Sequence, residues 1–101
     1  MPRYANRVDR NHAEVKDDLE AALPGVSVFD AFGSGKGFPD LVVGYRGLTY
    51  IYEVKDGEKP PSARKLTNAQ VGFHGNWQGH VAVVCSAQDI LADMLERSLK
   101  R

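Results

Sequence analysis

Two strand-like segments joined by a short turn constrain the fold of this chain more than any other feature. Residues 40–45 and 48–55 are rich in β-branched and aromatic side chains, and the Arg46-Gly47 pair between them is a turn signal. If the loop has two residues, the sequence positions of any two facing residues add up to 93. A four-residue loop keeps that sum, whereas a three-residue loop breaks it. The pattern predicts an antiparallel β-hairpin in which the loop fixes the register.

This register sets two carboxylates side by side. Asp40 falls opposite Glu53, and facing side chains in a sheet have Cβ atoms about 4.5 to 5.5 Å apart. Like charges repel at this distance, so the pair is destabilising unless a cation lies between them. Lys55 lies two residues after Glu53 and therefore on the same face of its strand. We expect Asp40, Glu53 and Lys55 to form the functional site.

The chemistry of these three groups points to phosphate esters. Two carboxylates at this spacing suit a hard divalent cation such as Mg²⁺, which proteins hold with one or two carboxylates, water and substrate phosphate. Such an ion polarises a phosphoryl oxygen and acidifies a bound water. The neighbouring lysine can orient or deprotonate that water, or neutralise the charge that builds on the phosphate. The predicted reaction is hydrolysis of a phosphodiester bond.

The same residues resemble a known nuclease signature. Phe38-Pro39-Asp40, followed after the hairpin by Glu53-Val54-Lys55, is similar to the PD-(D/E)XK motif. Over residues 11–91 the chain resembles the small stand-alone VRR-NUC (virus-type replication-repair nuclease) domains of phages. The likeness also includes an acidic helix upstream, the Gly-rich loop before Pro39, and the segment 62–70, which reads Ser-Ala-Arg-Lys-Leu-Thr-Asn-Ala-Gln.

The resemblance implies a PD-(D/E)XK nuclease-like core and a metal-dependent DNA endonuclease. Mg²⁺ or Mn²⁺ would be held by Asp40, Glu53 and the carbonyl group of Val54, with Lys55 acting on the water or the phosphate. It also implies cutting of branched DNA, such as four-way Holliday junctions, by a homodimer. Symmetric cuts on opposing strands need two active sites, which a chain this small provides only by pairing with itself. Related domains also act on flaps, so the resemblance implies the activity more strongly than the substrate.

The helix upstream of the hairpin supplies a further acidic candidate. Apolar periodicity predicts a helix from about Asp9 or Asn11 to Leu23, ended by Pro24-Gly25. The resemblance implies that an acidic residue near its start completes the active site; Glu14 is the matching position, and Asn11 is a further candidate. Asn11 and Glu14 also have the spacing of a capping box, in which Glu14 reaches back to the helix start. Both interpretations stay open.

A second helix is predicted from Thr67 to about His74, and it carries another ambiguous residue. Thr67 and Gln70 have capping-box spacing, which is a structural interpretation of Gln70. The resemblance implies instead that Gln70 faces the metal site and helps to hold water or phosphate. By the same matching, Ser62 contacts the backbone of the substrate.

Candidate DNA contacts lie in two loops. The loop at residues 33–37, Gly-Ser-Gly-Lys-Gly, exposes backbone amides and Lys36 for close approach to a phosphate, although it lacks the GxxxxGK[ST] form of a nucleotide P-loop. Lys59, Arg64 and Lys65 form a basic cluster directly after the hairpin, suited to phosphate contacts. A flexible turn and ordinary solvated charge are the alternative interpretations of these two features.

Length and charge limit the organisation and partners of the chain. Its 101 residues fit one domain over residues 11–101, preceded by a basic N-terminal arm at residues 1–10. Thirteen Lys and Arg balance thirteen Asp and Glu, so DNA binding must rely on a local patch rather than on a global positive field. The sequence contains no signal-like or bilayer-spanning stretch, which predicts a cytoplasmic protein with no membrane partner. The resemblance implies that the cell is bacterial or phage-infected.

The remaining segments complete an α/β fold. Residues 26–32 and 80–85 read as strands, and the second of these should run parallel to the last hairpin strand because a helix connects the two. Ser86 begins a final helix. The predicted order is α-β-β-β-α-β with a C-terminal helix, and the apolar character of both hairpin faces predicts a mixed sheet flanked by helices.

Two other kinds of function stay open at this point. The first is a non-catalytic DNA-structure-binding protein or nuclease accessory subunit, against which the intact Asp40, Glu53 and Lys55 argue, since a binder has no use for a repelling pair. The second is a small metal-binding or interaction domain unrelated to nucleic acid, for which we expect no positive surface around Asp40. Fold alone does not decide among these possibilities.

Overall fold

The computed structural model describes residues 11–100. These residues form three α-helices, one 3-10 helix and a four-stranded mixed sheet, which confirms the expected α/β class. The helices are α1 (His12–Ala22), α2 (Asn68–Asn76) and α3 (Ala87–Leu99), and the 3-10 helix spans Pro61–Arg64; the strands are β1 (Ser27–Asp30), β2 (Leu41–Tyr45), β3 (Leu48–Val54) and β4 (Ala82–Val84). The predicted arm at residues 1–10 lies outside the described residues. No helix within residues 11–100 combines the length and apolar character needed to cross a bilayer.

The predicted hairpin forms with the predicted register. Strands β2 and β3 are antiparallel, with Val43 opposite Tyr50. The two loop residues, Arg46 and Gly47, have φ angles of 51° and 83°. Two positive φ values match a type I′ turn, whose twist fits the strands on either side, and Gly47 adopts this conformation without steric cost.

The sheet order is β1-β2-β3-β4, with β4 parallel to β3 as predicted. Both outer strands are shorter than the segments expected at 26–32 and 80–85. Strand β1 ends where the Asp30 carboxylate accepts a hydrogen bond from the backbone N–H of Phe32. Strand β4 begins late because the His80 ring, rather than a backbone carbonyl, accepts the N–H of Ile51. Side chains therefore replace ladder bonds at both edges.

The two faces of the sheet are covered unequally. One face packs against α1 and α3, and its buried core includes Leu19, Leu41, Tyr52, Val54 and Ile90. The other face carries Asp40 and Glu53 and is approached by α2, which has no fully buried residue within the described chain. The expectation that helices flank both faces is therefore met only in part. The physical reason is that α2 contributes no buried apolar stripe to cover that side.

A partly buried polar cluster, here called the Asp93 cluster and made of Tyr52, His80 and Asp93, lies on the face covered by α3. The hydroxyl group of Tyr52 donates to Asp93 Oδ2 at 2.7 Å, and His80 Nε2 lies 2.6 Å from the same oxygen. Because His80 Nδ1 accepts the N–H of Ile51, its Nε2 carries the proton and donates to Asp93. Burial and the hydrogen bond to Asp93 raise the pKa of Tyr52.

Candidate active site

The structure brings the three predicted residues of the hairpin together. The paired strand residues end at Leu41 and Tyr52, and the N–H of Asp40 donates to the carbonyl of Tyr52 at 3.0 Å, one residue out of the ladder register. The carboxyl group of Asp40 still lies beside that of Glu53 at this end of the hairpin. Asp40, Glu53 and Lys55 are all buried, with Glu53 only 2% exposed. With Gln70 they form the carboxylate site, the name used below for these four residues.

At the end of the hairpin, the Asp40 carboxylate accepts a backbone N–H of β3 in place of a backbone carbonyl. Its Oδ2 accepts the N–H of Val54 at 2.8 Å. Since the N–H and C=O of one residue leave an extended strand on the same side, the carbonyl of Val54 also lies on the Asp40 side of β3. The third predicted metal ligand is thus on the edge of the strand that faces the first.

Glu53 and Lys55 are linked through Gln70. Gln70 Nε2 donates to Glu53 Oε2 at 2.8 Å, and Lys55 Nζ donates to Gln70 Oε1 at 3.0 Å. The Lys55 ammonium also lies 3.7 Å from Glu53 Oε2. A neutral amide that contacts both charged groups fixes their separation while it leaves the charge of each unchanged.

Both sequence-based interpretations of Gln70 describe contacts that are present. Thr67 caps α2 by accepting the N–H of Gln70, and the side-chain carbonyl oxygen of Gln70 accepts the N–H of Thr67, so the capping box forms. The same oxygen accepts from Lys55, while the amide nitrogen reaches Glu53. The capping box therefore holds Gln70 in the orientation in which it contacts the carboxylate site.

Burial sets the electrostatics of Asp40. Burial raises the pKa of the Asp40 carboxyl group. Smaller effects lower this pKa: the hydrogen bond from the Val54 N–H, a hydrogen bond with Glu53, and the charges of His12 and Lys55. Protonation of one carboxyl group, or a cation between the two, would reduce the repulsion within this pair.

His12 is a site residue that the sequence interpretation missed. It is 5% exposed at the start of α1, with Nε2 3.3 Å from Asp30 Oδ1, and its charge acts on Asp40. The available signal was its position three residues before Val15 and seven before Leu19, on the buried stripe of the helix. A histidine in the apolar stripe of the helix faces the sheet, whereas Glu14 lies on the exposed side of the same helix.

The predicted capping box at Asn11 and Glu14 does not form. Asn11 is the N-cap residue of α1 but makes no side-chain cap; its Nδ2 instead donates to the carbonyl oxygens of Lys55 and Cys85, at 3.2 and 2.8 Å. Asn11 therefore ties the end of the hairpin to the end of β4. Glu14 is exposed and lines a separate cleft with Asp18 and Glu58. The catalytic interpretation of Glu14 stays a prediction that these contacts do not support.

Lys36 lies in an exposed loop that packs against the start of α2. A Cβ atom at Gly37 would come within 2.1 Å of the backbone oxygen of Ala69, so only glycine permits this approach. Gly37 has a φ of 78° and Lys36 one of 59°. This backbone holds the Lys36 loop beside the helix that carries Gln70.

The other predicted DNA contacts lie on the segment between β3 and α2. Ser62 and Lys65 are exposed, in and directly after the 3-10 helix. Arg64 Nε donates to the carbonyl of Lys59 at 2.8 Å, which holds the guanidinium group against its own loop. These residues are accessible to a ligand, and their role in DNA binding stays a prediction.

His74, four residues after Gln70 on α2, lies on the Lys55 side of the helix. Burial and, to a lesser extent, the positive charge of Lys55 lower the pKa of His74. The ring is therefore neutral at physiological pH. The spacing of i and i+4 on a helix was the signal that could have linked His74 to Gln70.

The donors fit a small oxygen-ligand site rather than a cage made by the protein alone. No group of three or more His, Cys, Asp or Glu within residues 11–100 is arranged to hold a metal ion. Two carboxylates and one backbone carbonyl nevertheless match the donor set that Mg²⁺ uses when waters and substrate complete its coordination. A cation there would also offset the cost of burial that raises the pKa of Asp40.

Comparison with protein-family models, with curated proteins and with solved structures finds no match to this chain.

Proposed function

We propose that this protein is a metal-dependent DNA endonuclease with a PD-(D/E)XK core of the VRR-NUC type. The observation that carries the proposal is the buried pair Asp40 and Glu53 with Lys55 on the same sheet face. A buried repelling pair costs stability, and a cation-dependent reaction explains why the fold keeps it.

Asp40, Glu53 and the Val54 carbonyl would hold Mg²⁺ or Mn²⁺. When bound, the ion supplies a polarised phosphoryl oxygen and an acidified water. Asp40 is oriented by the N–H of Val54, so its remaining acceptor positions face the site. Gln70 holds Glu53 and Lys55 at a fixed separation.

Lys55 is the group that meets the substrate. Its ammonium neutralises the negative charge that develops on the phosphate as the bond to the leaving oxygen breaks. Its bond to Gln70 keeps it in place before substrate arrives, so it needs little reorganisation. Asn11 supports this arrangement through the backbone of Lys55.

The preferred substrate in this proposal is branched DNA, such as a four-way junction, cut by a homodimer with one carboxylate site in each subunit. The zero net charge of the chain favours recognition of a DNA shape through local contacts over tight binding to any duplex. Lys36, Ser62, Arg64 and Lys65 are the proposed backbone contacts.

Cleavage of labelled four-way junction, flap, single-stranded and duplex DNA tests the proposal, with Mg²⁺, Mn²⁺ or EDTA. We expect metal-dependent cutting that falls at least about 100-fold in Asp40→Asn and in Lys55→Met. The first change keeps an acceptor for the N–H of Val54, and the second keeps the length of the side chain. Asp17→Asn and Lys16→Met, both on α1, serve as matched controls that keep wild-type activity.

Metal binding is measured separately from cutting. Mn²⁺ at about ten times its dissociation constant should raise the melting temperature of the wild type by about 5 °C or more, and should not do so in Asp40→Asn. Tight junction binding without cutting under any metal would replace the nuclease proposal with a DNA-structure-binding protein.

A further inference from the structure

Part of the sheet face that carries the carboxylate site is left open beside it. Phe29 of β1 pairs with Val42 of β2, which pairs with Ile51 of β3, so these side chains share one face. That face also carries Asp40 and Glu53, two residues further along each hairpin strand. Ile51 is buried, Val42 is half-buried and Phe29 is 66% exposed. The exposure of this face to solvent thus increases from β3 to β1.

Aromatic side chains continue this open area onto α2. Phe38 contacts Phe73 edge to face, with ring centroids 5.3 Å apart, and Phe73 stacks on Trp77 at 5.1 Å with an angle of 22° between the rings. Trp77 is 40% exposed. Together with Phe29 these residues form the aromatic row, the name used below for Phe29, Phe38, Phe73 and Trp77.

Two clefts of about 580 and 440 Å³ lie along the aromatic row, and Phe73 and Lys36 line both of them. Among the described residues that line these clefts, Lys36 is the one with a charged side chain. The Gly37 contact with α2 fixes the loop that carries Lys36. The surface therefore combines exposed aromatic rings, a single cation and no carboxylate in its described lining.

We propose that the aromatic row and Lys36 bind an unstacked nucleotide of the DNA strand next to the bond that is cut. Aromatic rings stack on unpaired bases, and a lysine beside them contacts the phosphate. This inference rests on the proposed nuclease function and specifies it, since it makes an unpaired segment near the cleavage point part of the substrate.

Continuity with the carboxylate site favours DNA over a second copy of this chain as the occupant. Gln70 and Phe73 lie three residues apart on α2, a rise of about 4.5 Å along the helix axis. A base on Phe73 would thus belong to a nucleotide close to the phosphate held by Lys55. The positive charge of Lys36 complements a phosphate, whereas an apolar dimer interface would bury this charge without a partner.

Trp77 is the only tryptophan of the chain, so intrinsic fluorescence reports on the row directly. In EDTA, which prevents cutting, an oligothymidylate of about 12 nucleotides should quench this fluorescence, and a fully paired duplex of equal length should quench it much less. Phe29→Leu and Phe73→Leu keep apolar contact but remove a ring, and each should weaken single-strand binding about tenfold.

Lys36→Asn isolates the charge, because asparagine tolerates the left-handed backbone at this position. It should reduce the slope of log affinity against log salt by about 0.7. Leu95→Ala, an exposed apolar residue on α3, is the matched control and should leave binding unchanged. Circular dichroism verifies that each variant is folded. If Phe73→Leu unfolds, Phe29→Leu still tests the aromatic row, because Phe29 is exposed.

The outcomes separate this inference from the proposed function. Quenching by single strands that depends on the rings and on Lys36 supports it. Metal-dependent cutting without quenching overturns the inference and leaves the nuclease. A change from dimer to monomer in Phe29→Leu during sedimentation, without quenching, would identify the row as a subunit interface. Absence of both DNA binding and cutting would overturn both proposals.

Discussion

Tyr52 and Glu53 are neighbours in the chain and point to opposite faces of the sheet. Each belongs to a polar cluster, and the two clusters differ in charge and in burial. On one face, the Asp93 cluster gives a single carboxylate two hydrogen-bond donors. On the other, the carboxylate site holds two carboxylates and one ammonium. In the first cluster each donor meets the one carboxylate, whereas the second cluster buries more negative than positive charge.

This difference indicates what each cluster does for the molecule. Buried polar groups whose partners are all present stabilise a unique packing arrangement. The Asp93 cluster does so by joining α3 to β3 and by fixing His80, which accepts the N–H of Ile51. Two buried like charges are expected to cost stability, and the proposed function would explain why the carboxylate site is kept.

Asp93→Ala should destabilise the protein by about 3 kcal/mol. It leaves the Tyr52 hydroxyl and the His80 Nε2–H buried without an acceptor, and each such group costs about 1 to 3 kcal/mol. Urea unfolding followed by circular dichroism measures the change. Glu96→Ala on the exposed side of α3, where Glu96 pairs with Lys100, should cost less than about 0.5 kcal/mol. Equal effects in the two variants would contradict a structural role for the cluster.

Lys55→Met should destabilise the metal-free protein by about 2 kcal/mol at pH 8, because it removes the buried ammonium next to Glu53. The deficit should shrink at pH 5, where Asp40 is more protonated, and Mn²⁺ should stabilise this variant more than it stabilises the wild type. Unfolding at both pH values, with Mn²⁺ or EDTA, tests this expectation. A deficit that neither acid nor metal reduces would mean that Lys55 acts through packing alone.

The sequence predicted one of these two clusters and not the other. The hairpin register follows from local pairing and a two-residue turn, so Asp40, Glu53 and Lys55 could be placed by counting residues. The Asp93 cluster joins residues from β3, the segment before β4, and α3, which are far apart in the chain. Its signal was Asp93 on the core-facing stripe of a helix, a polar residue at a position that favours an apolar one.

The same reason explains why the sequence left two interpretations of Asn11 and Glu14 open. The i to i+3 spacing of Asn11 and Glu14 permits a capping box, but the choice between that box and a long-range bond depends on what lies nearby in space. The carbonyl groups of Lys55 and Cys85 are close enough to take the amide of Asn11. Residue spacing gives the local options, and tertiary contacts select among them.

Asp40→Asn should stabilise the metal-free protein by about 1 kcal/mol at pH 8, because it removes one of two buried like charges. Burial raises the folded pKa of Asp40 above its unfolded value near 3.8. A group shifted upward stabilises the fold fully below the unfolded pKa, and this stabilisation is lost as pH rises through the folded pKa. The advantage of the Asp40→Asn variant over the wild type should therefore grow from pH 4 upward.

Thermal unfolding of the wild type and Asp40→Asn in EDTA, between pH 4 and pH 8, measures this difference. Asp30→Asn is the matched control, because the Asp30 carboxyl group is about half exposed and contacts His12 on the same side of the molecule. A constant difference between wild type and Asp40→Asn across the pH range would mean that Asp40 is not destabilised in the folded state.

The smallest expected effect separates the two roles of Gln70. Thr67→Ala removes only the cap and should cost about 1 kcal/mol of stability, with cleavage nearly unchanged. Gln70→Ala removes the cap together with the bonds to Glu53 and Lys55, so its stability loss should be similar while cleavage falls about tenfold. Unfolding and cleavage are measured on the same preparations. Equal cleavage in the two variants would leave Gln70 with the capping role alone, because a cap that merely stabilises α2 has no reason to affect the chemistry at Lys55.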